Sequence, residues 1–207
     1  MPLDALCLSG VVHELSCVLT GSKLDKIYQP SRYEIIFALR GAGKNVRLLL
    51  SANPTHPRIH LTELTRENPD TPPMFCMLLR KHLTGARLLE LRQVPLERVV
   101  ELRLEALNEL GDRVERRLVL EAIGRRANLL LLDEEGRILD CIRRVDSDLT
   151  QERVLQPGML YRLPPVQDKR DPAAQDRDTL ETLLAQAPEE AQADKWLLDT
   201  FRGLSPL

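Results

Sequence analysis

The sequence predicts an α+β protein, built as an antiparallel β-sheet or sandwich with flanking helices. Much of the chain alternates apolar and polar residues with a period of two, and short turns separate these runs. The runs follow one another without the crossover helices of a doubly wound fold. Aromatic residues make up only 3% of the 207 residues, so leucine, valine and isoleucine must form the core.

The first element is a predicted helix over residues 3–19, because apolar residues recur there at helical spacing on one stripe. The stripe contains Leu8, Val11, Val12, Leu15, Val18 and Leu19. Alternating runs then predict three strands joined as a meander. These strands cover residues 23–29, 33–40 and 44–51.

The turn before the third strand resembles a phosphate-binding loop, since Gly41 and Gly43 precede Lys44. That motif requires a glycine five residues before its Gly-Lys pair and a Ser or Thr after the lysine. Ala38 and Asn45 occupy those positions here. The sequence therefore predicts a hairpin turn rather than a nucleotide site.

A second helix is predicted over residues 73–84, after an extended segment that ends at Thr62. We expect one face of this helix to pack against the sheet. That face contains Met74, Phe75, Leu78, Leu79 and His82. Arg80 and Lys81 lie opposite, and they form either a plain solvated face or a cationic contact surface.

Strands resume after Gly85, and one of them alternates clearly between two faces. Its inward residues are Val100, Leu102, Leu104 and Ala106, and its outward residues are Glu101, Arg103 and Glu105. Residues 128–132 are apolar at every position, which predicts a strand covered on both faces. Residues 137–142 form the last predicted strand.

The predicted domains are residues 1–170 and residues 171–207, and the second comprises a linker and acidic helical pieces. The first part has a formal charge of +3 and the second a charge of −5. We expect the acidic tail to face away from any anionic ligand. Its end, at Phe201–Leu207, is interpreted as the truncated start of another domain.

Composition argues for a binding domain rather than an enzyme. The four cysteines form no CxxC pair and the four histidines no metal-ligand cluster, so we expect buried thiols in a reducing compartment and no metal or cofactor. No Gly-x-Ser-x-Gly nucleophile motif is present. The N-terminus shows no secretory pattern, and no apolar run approaches the roughly 20 residues of a membrane span. We expect a cytoplasmic protein with no membrane association.

Arginines recur at the ends of predicted strands, which is unusual for a chain with a net charge of −2. They are Arg98, Arg125, Arg126, Arg143 and Arg144. Arginine binds phosphate in a planar, bidentate geometry. A surface that merely keeps the protein soluble is the alternative. Pro95 begins a predicted turn over residues 95–98, from which the side chains of Glu97 and Arg98 would project.

Several long motifs resemble the amino-terminal domain of the NFACT family, the fibronectin-binding-protein-A-like proteins related to ribosome quality control factors. The motifs are KIYQP, LLLSANPTHPRIHLT, ENPDTPPMFCMLLRKHL and GRRANLLLLD. The resemblance covers residues 1 to about 169, and residues 201–207 resemble the start of the family's helix–hairpin–helix segment, truncated here. It implies binding to large ribosomal subunits obstructed by peptidyl-tRNA, and to alanyl-tRNA, in support of untemplated tailing of the stalled chain.

The resemblance also implies a set of tRNA-binding residues. The family's Asp-Arg pair corresponds to Glu97-Arg98, with Glu in place of Asp. Its Gly-Arg-His-x-Asn pattern corresponds to residues 124–128, with Arg126 in place of His. The implied tRNA-binding residues are Glu97, Arg98, Arg125, Arg126 and Asn128. Arg80, Lys81, Arg143 and Arg144 are further candidate contacts with RNA or the ribosome.

Two alternatives follow from the same resemblance. The family's older name implies an adhesin-like module that binds fibronectin. The family fold is also similar to the amino-terminal domain of formamidopyrimidine-type DNA glycosylases, whose nucleophile is an amino-terminal proline followed by glutamate. Pro2 matches that proline, but Leu3 cannot act as the acid.

Overall fold

A computed structural model describes residues 3–41, 45–144 and 153–205. It contains four α-helices: α1 (Ala5–Leu19), α2 (Met74–Leu83), α3 (Arg177–Ala185) and α4 (Ala193–Thr200). The strands are β1 (Lys23–Ser31), β2 (Glu34–Arg40), β3 (Asn45–Ser51), β4 (Arg58–Leu61), β5 (Arg87–Gln93), β6 (Val99–Leu107), β7 (Arg113–Glu121), β8 (Asn128–Leu132) and β9 (Ile138–Cys141). Pro2, Gly43 and Lys44, on which two of the interpretations above depend, lie outside the described residues.

The nine strands form one antiparallel sheet in the order β4-β3-β2-β1-β5-β6-β7-β8-β9. Two meanders meet at its centre, where Lys23 of β1 stands opposite Arg87 of β5. Helices α1 and α2 pack against strands of this sheet. The predicted α+β class, with an antiparallel sheet and flanking helices, is confirmed.

Helix α1 begins at Asp4, whose carboxylate accepts a hydrogen bond from the Cys7 amide at 2.7 Å and so caps the helix. Its buried residues are Ala5, Leu8, Val12, Leu15 and Leu19. The predicted stripe is confirmed except at its edge, where Val18 is 50% exposed.

Helix α2 packs Phe75 and Leu79 against the sheet as predicted, but its packed face is shifted from the predicted one. Met74 is 75% exposed and His82 is only half-buried, whereas Cys76 and Leu83 are buried. Relative to the predicted face, the packed face is rotated about the helix axis by about one residue, or roughly 100°. Arg80 explains the rotation, because its Nε donates to the Ile27 carbonyl of β1 at 2.9 Å and lies against the strand.

The sheet is covered on both faces at its β7–β9 end. Leu129 and Leu131 of β8 join the large core beneath the helices, while Leu130 and Leu132 join a second cluster on the other face. The segment after residue 152 closes that cluster with Leu155, and Tyr161 packs against it. The prediction of a doubly covered strand is confirmed, and β6 shares the feature at its start, where Val99 belongs to the second cluster.

A buried ion pair fixes this closing segment to the sheet. Glu121, at the end of β7, is 1% exposed. Arg153 donates to both of its carboxylate oxygens, at 3.0 and 2.5 Å, and the Tyr161 hydroxyl donates at 2.8 Å. The Arg153 guanidinium also lies 5.1 Å from the centre of the Tyr161 ring. Burial, with Glu121 adding to it, raises the pKa of Tyr161, so the hydroxyl keeps the proton that it donates.

Replacing Arg153 by Met should lower the free energy of unfolding by about 3–5 kcal/mol, because the buried Glu121 charge would lose its partner. Arg177→Ala is the matched control, since it breaks the Arg177–Glu181 pair in which both side chains are largely exposed. That change should stay within about 0.5 kcal/mol. Urea unfolding of both variants tests the difference, and equal midpoints would contradict a structural role for the buried pair.

The thiols differ in exposure, which corrects the expectation that they are buried. Cys7 and Cys17 are exposed, and Cys76 and Cys141 are buried. Burial raises the pKa of Cys76, and it raises that of Cys141 to about 11. Because the thiolate is the reactive form, these two should react slowly in the folded protein.

A thiol-specific reagent should therefore modify Cys7 and Cys17 in the folded protein, and Cys76 and Cys141 only after unfolding in guanidinium. Mass spectrometry of tryptic peptides assigns each modified residue. Rapid modification in the folded protein would show that the core opens readily, around α2 if Cys76 reacts and around β8–β9 if Cys141 reacts.

Candidate nucleic-acid interface

A cleft of about 470 Å³ lies at the end of the sheet where β6 begins and β7 ends. One wall is the turn at residues 95–98, and another is the connection from Glu121 to Arg126. The segment after residue 152 and the C-terminal residues 202–204 complete it. The cleft therefore joins parts of the chain that are far apart in sequence.

Arginine dominates the charged lining. The arginines are Arg98, Arg125, Arg126, Arg143, Arg153 and Arg202, and the acidic residues are Glu97 and Glu121. The formal excess is four positive charges, in a protein whose net charge is −2. Low-dielectric walls around charges of one sign focus the electrostatic field, so this cleft should attract anions.

Three arginines of the cleft differ from Arg92 and Arg103 of the sheet in how they are paired. Arg103 of β6 forms ion pairs with Glu90 at 2.9 Å and with Glu115 at 2.7 Å. Arg92 of β5 forms an ion pair with Glu101 at 2.6 Å. By contrast, Arg98, Arg125 and Arg126 take part in no ion pair within the described part of the chain. No carboxylate of the described residues therefore neutralises these three charges.

The remaining arginines of the cleft are held by internal partners. Arg143 donates to the backbone carbonyl of Arg125 and supports the 3-10 turn at Gly124–Arg126. Arg202 lies 3.6 Å from a carboxylate oxygen of Asp171. These two side chains, with Arg153, shape the cleft while adding to its positive potential.

The predicted turn at residues 95–98 is present. The Glu97 amide donates to the Val94 carbonyl at 3.0 Å, and the Val94 amide donates to the Val99 carbonyl at 2.9 Å. Both Glu97 and Arg98 line the cleft. Partial burial raises the pKa of the Glu97 carboxyl, while the nearby cations Arg202 and Arg98 act in the opposite direction.

Asn128 is separated from the other implied tRNA-binding residues, because its side chain is only 1% exposed. Its Nδ2 donates to the Arg143 carbonyl at 2.9 Å, and its Oδ1 accepts from the amides of Arg143 and Leu129. The side chain therefore joins the ends of β8 and β9. In this structure Asn128 positions Arg143 and is not part of the exposed cleft.

Three of the further candidate contacts also lie outside this cleft. Arg80 is bound to β1, and Lys81 pairs with Glu109 of the β6–β7 hairpin at 2.7 Å, at the opposite end of those strands. Arg144 lies 3.4 Å from Asp140. Of the four, the structure brings only Arg143 to the cleft.

Sequence analysis missed Arg153 and Arg202, because each reaches the cleft from a distant segment. Residues 202–204 of the C-terminal part belong to the lining, whereas none of the acidic residues of that part lines the cleft. A second cavity of about 670 Å³ adjoins the cleft across Arg98, which lines both. Asp4, Cys7, Thr55, His56, Pro57 and His60 are among its other lining residues.

The chemistry of the cleft suits anion binding. Within residues 3–41, 45–144 and 153–205, no three His, Cys, Asp or Glu side chains are grouped to hold a metal. No helix among these residues is both long enough and apolar enough to cross a membrane. Unpaired guanidinium groups are well suited to bidentate contact with phosphate or carboxylate.

The fold and the cleft together define an antiparallel α+β module with one strongly cationic cleft. A sequence model of the family described as NFACT N-terminal and middle domains matches residues 4–207, and the chain belongs to this family. The match extends across the boundary predicted near residue 170, which stays a prediction.

The chain is similar to the Rqc2 homolog RqcH of Bacillus subtilis strain 168, with 40% identity over 209 residues. That alignment covers 100% of this chain and 36% of the relative, so the chain spans about a third of the relative's length. The ribosome quality control complex subunit 2 of Saccharomyces cerevisiae is 34% identical over 137 residues, which cover 66% of this chain and 12% of the relative.

Solved structures resemble the chain closely. The N-terminal domain of the fibronectin-binding protein PavA from Streptococcus pneumoniae matches with a TM-score of 0.89 and 35% identity, over 98% of this chain and 75% of that one. The N-terminal part of the fibronectin/fibrinogen-binding protein from Streptococcus suis matches with a TM-score of 0.87 and 31% identity, over the same shares of the two chains.

Replacing Asn128 by Ala should destabilise the fold by about 1–3 kcal/mol, because buried backbone groups of Leu129 and Arg143 would lose their partners. Arg126→Ala changes an exposed residue of the 3-10 turn just before β8 and should alter the free energy of unfolding by no more than about 0.5 kcal/mol. Thermal melts of the two variants provide the measurement. Equal stability would show that Asn128 does not support this end of the sheet.

Proposed function

We propose that this chain is an RNA-binding module of a ribosome quality control factor and that its cleft contacts tRNA. One observation carries the proposal: Arg98, Arg125 and Arg126, which make no ion pair within the described residues, line a single cleft. Arg103, in the middle of β6, is by contrast neutralised by Glu90 and Glu115.

Phosphate is the anion that best fits the spread and density of these charges. Three unpaired guanidinium groups along one cleft can each contact a different phosphate of a folded RNA. Such contacts fix position and orientation without reading base sequence. The cleft therefore supports recognition of a structured RNA by shape, and the half-buried Glu97 could accept a hydrogen bond from a ribose hydroxyl.

The names of the relatives suggest the process to which this chain contributes. Proteins named Rqc2 homolog RqcH and ribosome quality control complex subunit 2 contain similar segments. The proposed whole protein binds large ribosomal subunits obstructed by peptidyl-tRNA, recruits alanyl-tRNA and supports untemplated tailing of the stalled chain. The chain spans about a third of such a protein, and the part of this function proposed for it is RNA binding at the cleft.

Fibronectin binding is the second candidate function. It is favoured by the similarity to the N-terminal domain of the fibronectin-binding protein PavA, at a TM-score of 0.89. The two functions differ in what they require of the cleft, because RNA binding depends on its positive charge. Titrating immobilised fibronectin with the same variants that are tested on tRNA separates the two.

Arg98→Ala should weaken tRNA binding by about 1.5–3 kcal/mol through the loss of a charge-assisted contact. The free energy of unfolding should change by no more than about 0.5 kcal/mol, as for other surface substitutions. Affinity of the unmodified protein should fall steeply between about 50 and 200 mM salt, and the variant should show a shallower slope. Fluorescence titration with tRNA at several salt concentrations measures both effects.

Arg113→Ala is the matched control, because Arg113 is 77% exposed and lies at the far end of β7, next to Glu105. It removes the same charge from outside the cleft and should leave tRNA affinity nearly unchanged. Equal losses for Arg98→Ala and Arg113→Ala would contradict a localised phosphate site. Fibronectin binding that depends on Arg98, without any tRNA binding, would favour the second candidate.

A further inference from the structure

The turn that presents Arg98 contains a residue in a strained conformation. Leu96 has a φ of 57° and is the only residue other than glycine with a positive φ in the described part of the chain. A left-handed conformation is unfavourable for a leucine, so surrounding contacts must enforce it. Because Leu96 lies two residues before Arg98, its conformation sets the direction in which Glu97 and Arg98 leave the turn.

Gln93 provides one of these contacts from inside the turn. Its side-chain Nε2 donates to the Glu97 carbonyl at 2.8 Å and to the Ala5 carbonyl at 2.8 Å. One amide group therefore ties the turn to the first residue of α1. The backbone on either side of Leu96 is held by this bond and by that from the Glu97 amide to the Val94 carbonyl.

The C-terminal segment provides the second contact from outside. The Gly203 carbonyl accepts a hydrogen bond from the Ala5 amide at 2.9 Å. A Cβ placed on Gly203 would lie 3.3 Å from Cδ2 of Leu96 and 3.7 Å from Cβ of Ala5. Gly203 itself has a φ of 87°, so glycine suits this position for its backbone as well as for its size.

The segment is anchored on its other side, so its position is defined. Phe201 is 4% exposed, and its strand-like bridge to Arg170 is flanked by two backbone hydrogen bonds, at 2.9 and 3.0 Å. The Lys169 ammonium also donates to the Leu198 carbonyl, near the end of α4. A displacement of α4 would therefore move Gly203 relative to Leu96.

We propose that Gly203 and Gln93 are positioning residues that hold Leu96 in its left-handed conformation and thereby aim Arg98 into the cleft. The segment at residues 201–204 then links the position of α4 to the conformation of this turn, and through it to the affinity for the ligand. The effect on RNA rests on the proposed function, whereas the coupling between Gly203 and the turn does not.

Gly203→Ala tests the coupling, and Gly111→Ala is the matched control. Gly111 has a φ of 88° and open space where a Cβ would lie, so both changes introduce the same backbone strain but only one presses on Leu96. Hydrogen exchange at residues 94–99 is measured without RNA. Exchange in Gly203→Ala should rise by about tenfold, and that in Gly111→Ala should remain as in the unmodified protein.

Gln93→Met keeps the side-chain length while removing both donated hydrogen bonds, so it should raise exchange in the same segment. Urea unfolding confirms that each variant is folded under the conditions of measurement. In tRNA titrations, Gly203→Ala and Gln93→Met should lose about tenfold in affinity. Each should also reduce the slope of log affinity against log salt concentration by about one, as expected when one phosphate contact is lost.

Unchanged exchange at residues 94–99 in both folded variants would overturn the coupling, whatever the RNA result. Raised exchange with undiminished tRNA affinity and an unchanged salt slope would overturn the positioning role. If the unmodified protein binds no tRNA, the proposed function fails by itself, and hydrogen exchange still decides whether Gly203 controls the turn.

Discussion

The Glu121 carboxylate lies beneath the protein surface, where Arg153 and the Tyr161 hydroxyl both donate hydrogen bonds to it. An isolated carboxylate would be very unfavourable at 1% exposure, so the segment after residue 152 must return to the end of β7. That return brings Leu155 over the second apolar cluster and forms one wall of the cleft. One buried ion pair thus connects the closing of the core to the shape of the site.

The distribution of arginines separates structural from available positive charge. On the open face of β5, β6 and β7, cross-strand glutamates neutralise Arg92 and Arg103. Just before β6 and after β7, Arg98, Arg125 and Arg126 lie where no carboxylate of the described residues pairs with them. A strong local field therefore arises in a protein with a slightly negative total charge, and formal net charge gives no indication of it.

The site is also the place where the backbone departs from relaxed geometry. Leu96 adopts a left-handed conformation at the turn that carries Glu97 and Arg98, and partners from β5, α1 and the C-terminal segment surround it. Strain of this kind persists only where several contacts enforce it. The same contacts bring Gly203, from the C-terminal part of the chain, into the lining of the cationic cleft.

The sequence by itself determined the antiparallel α+β class, the stripe of α1, the doubly covered β8 and the turn at residues 95–98, because each follows from local periodicity or turn chemistry. It also singled out Arg98, Arg125 and Arg126. Only the tertiary structure decided the packed face of α2, where Arg80 binds a carbonyl of β1, and the internal role of Asn128. The tertiary structure alone brought Arg153 and Arg202 to the cleft. Both come from segments that are distant along the chain, and a contact between distant segments produces no periodic pattern in the sequence.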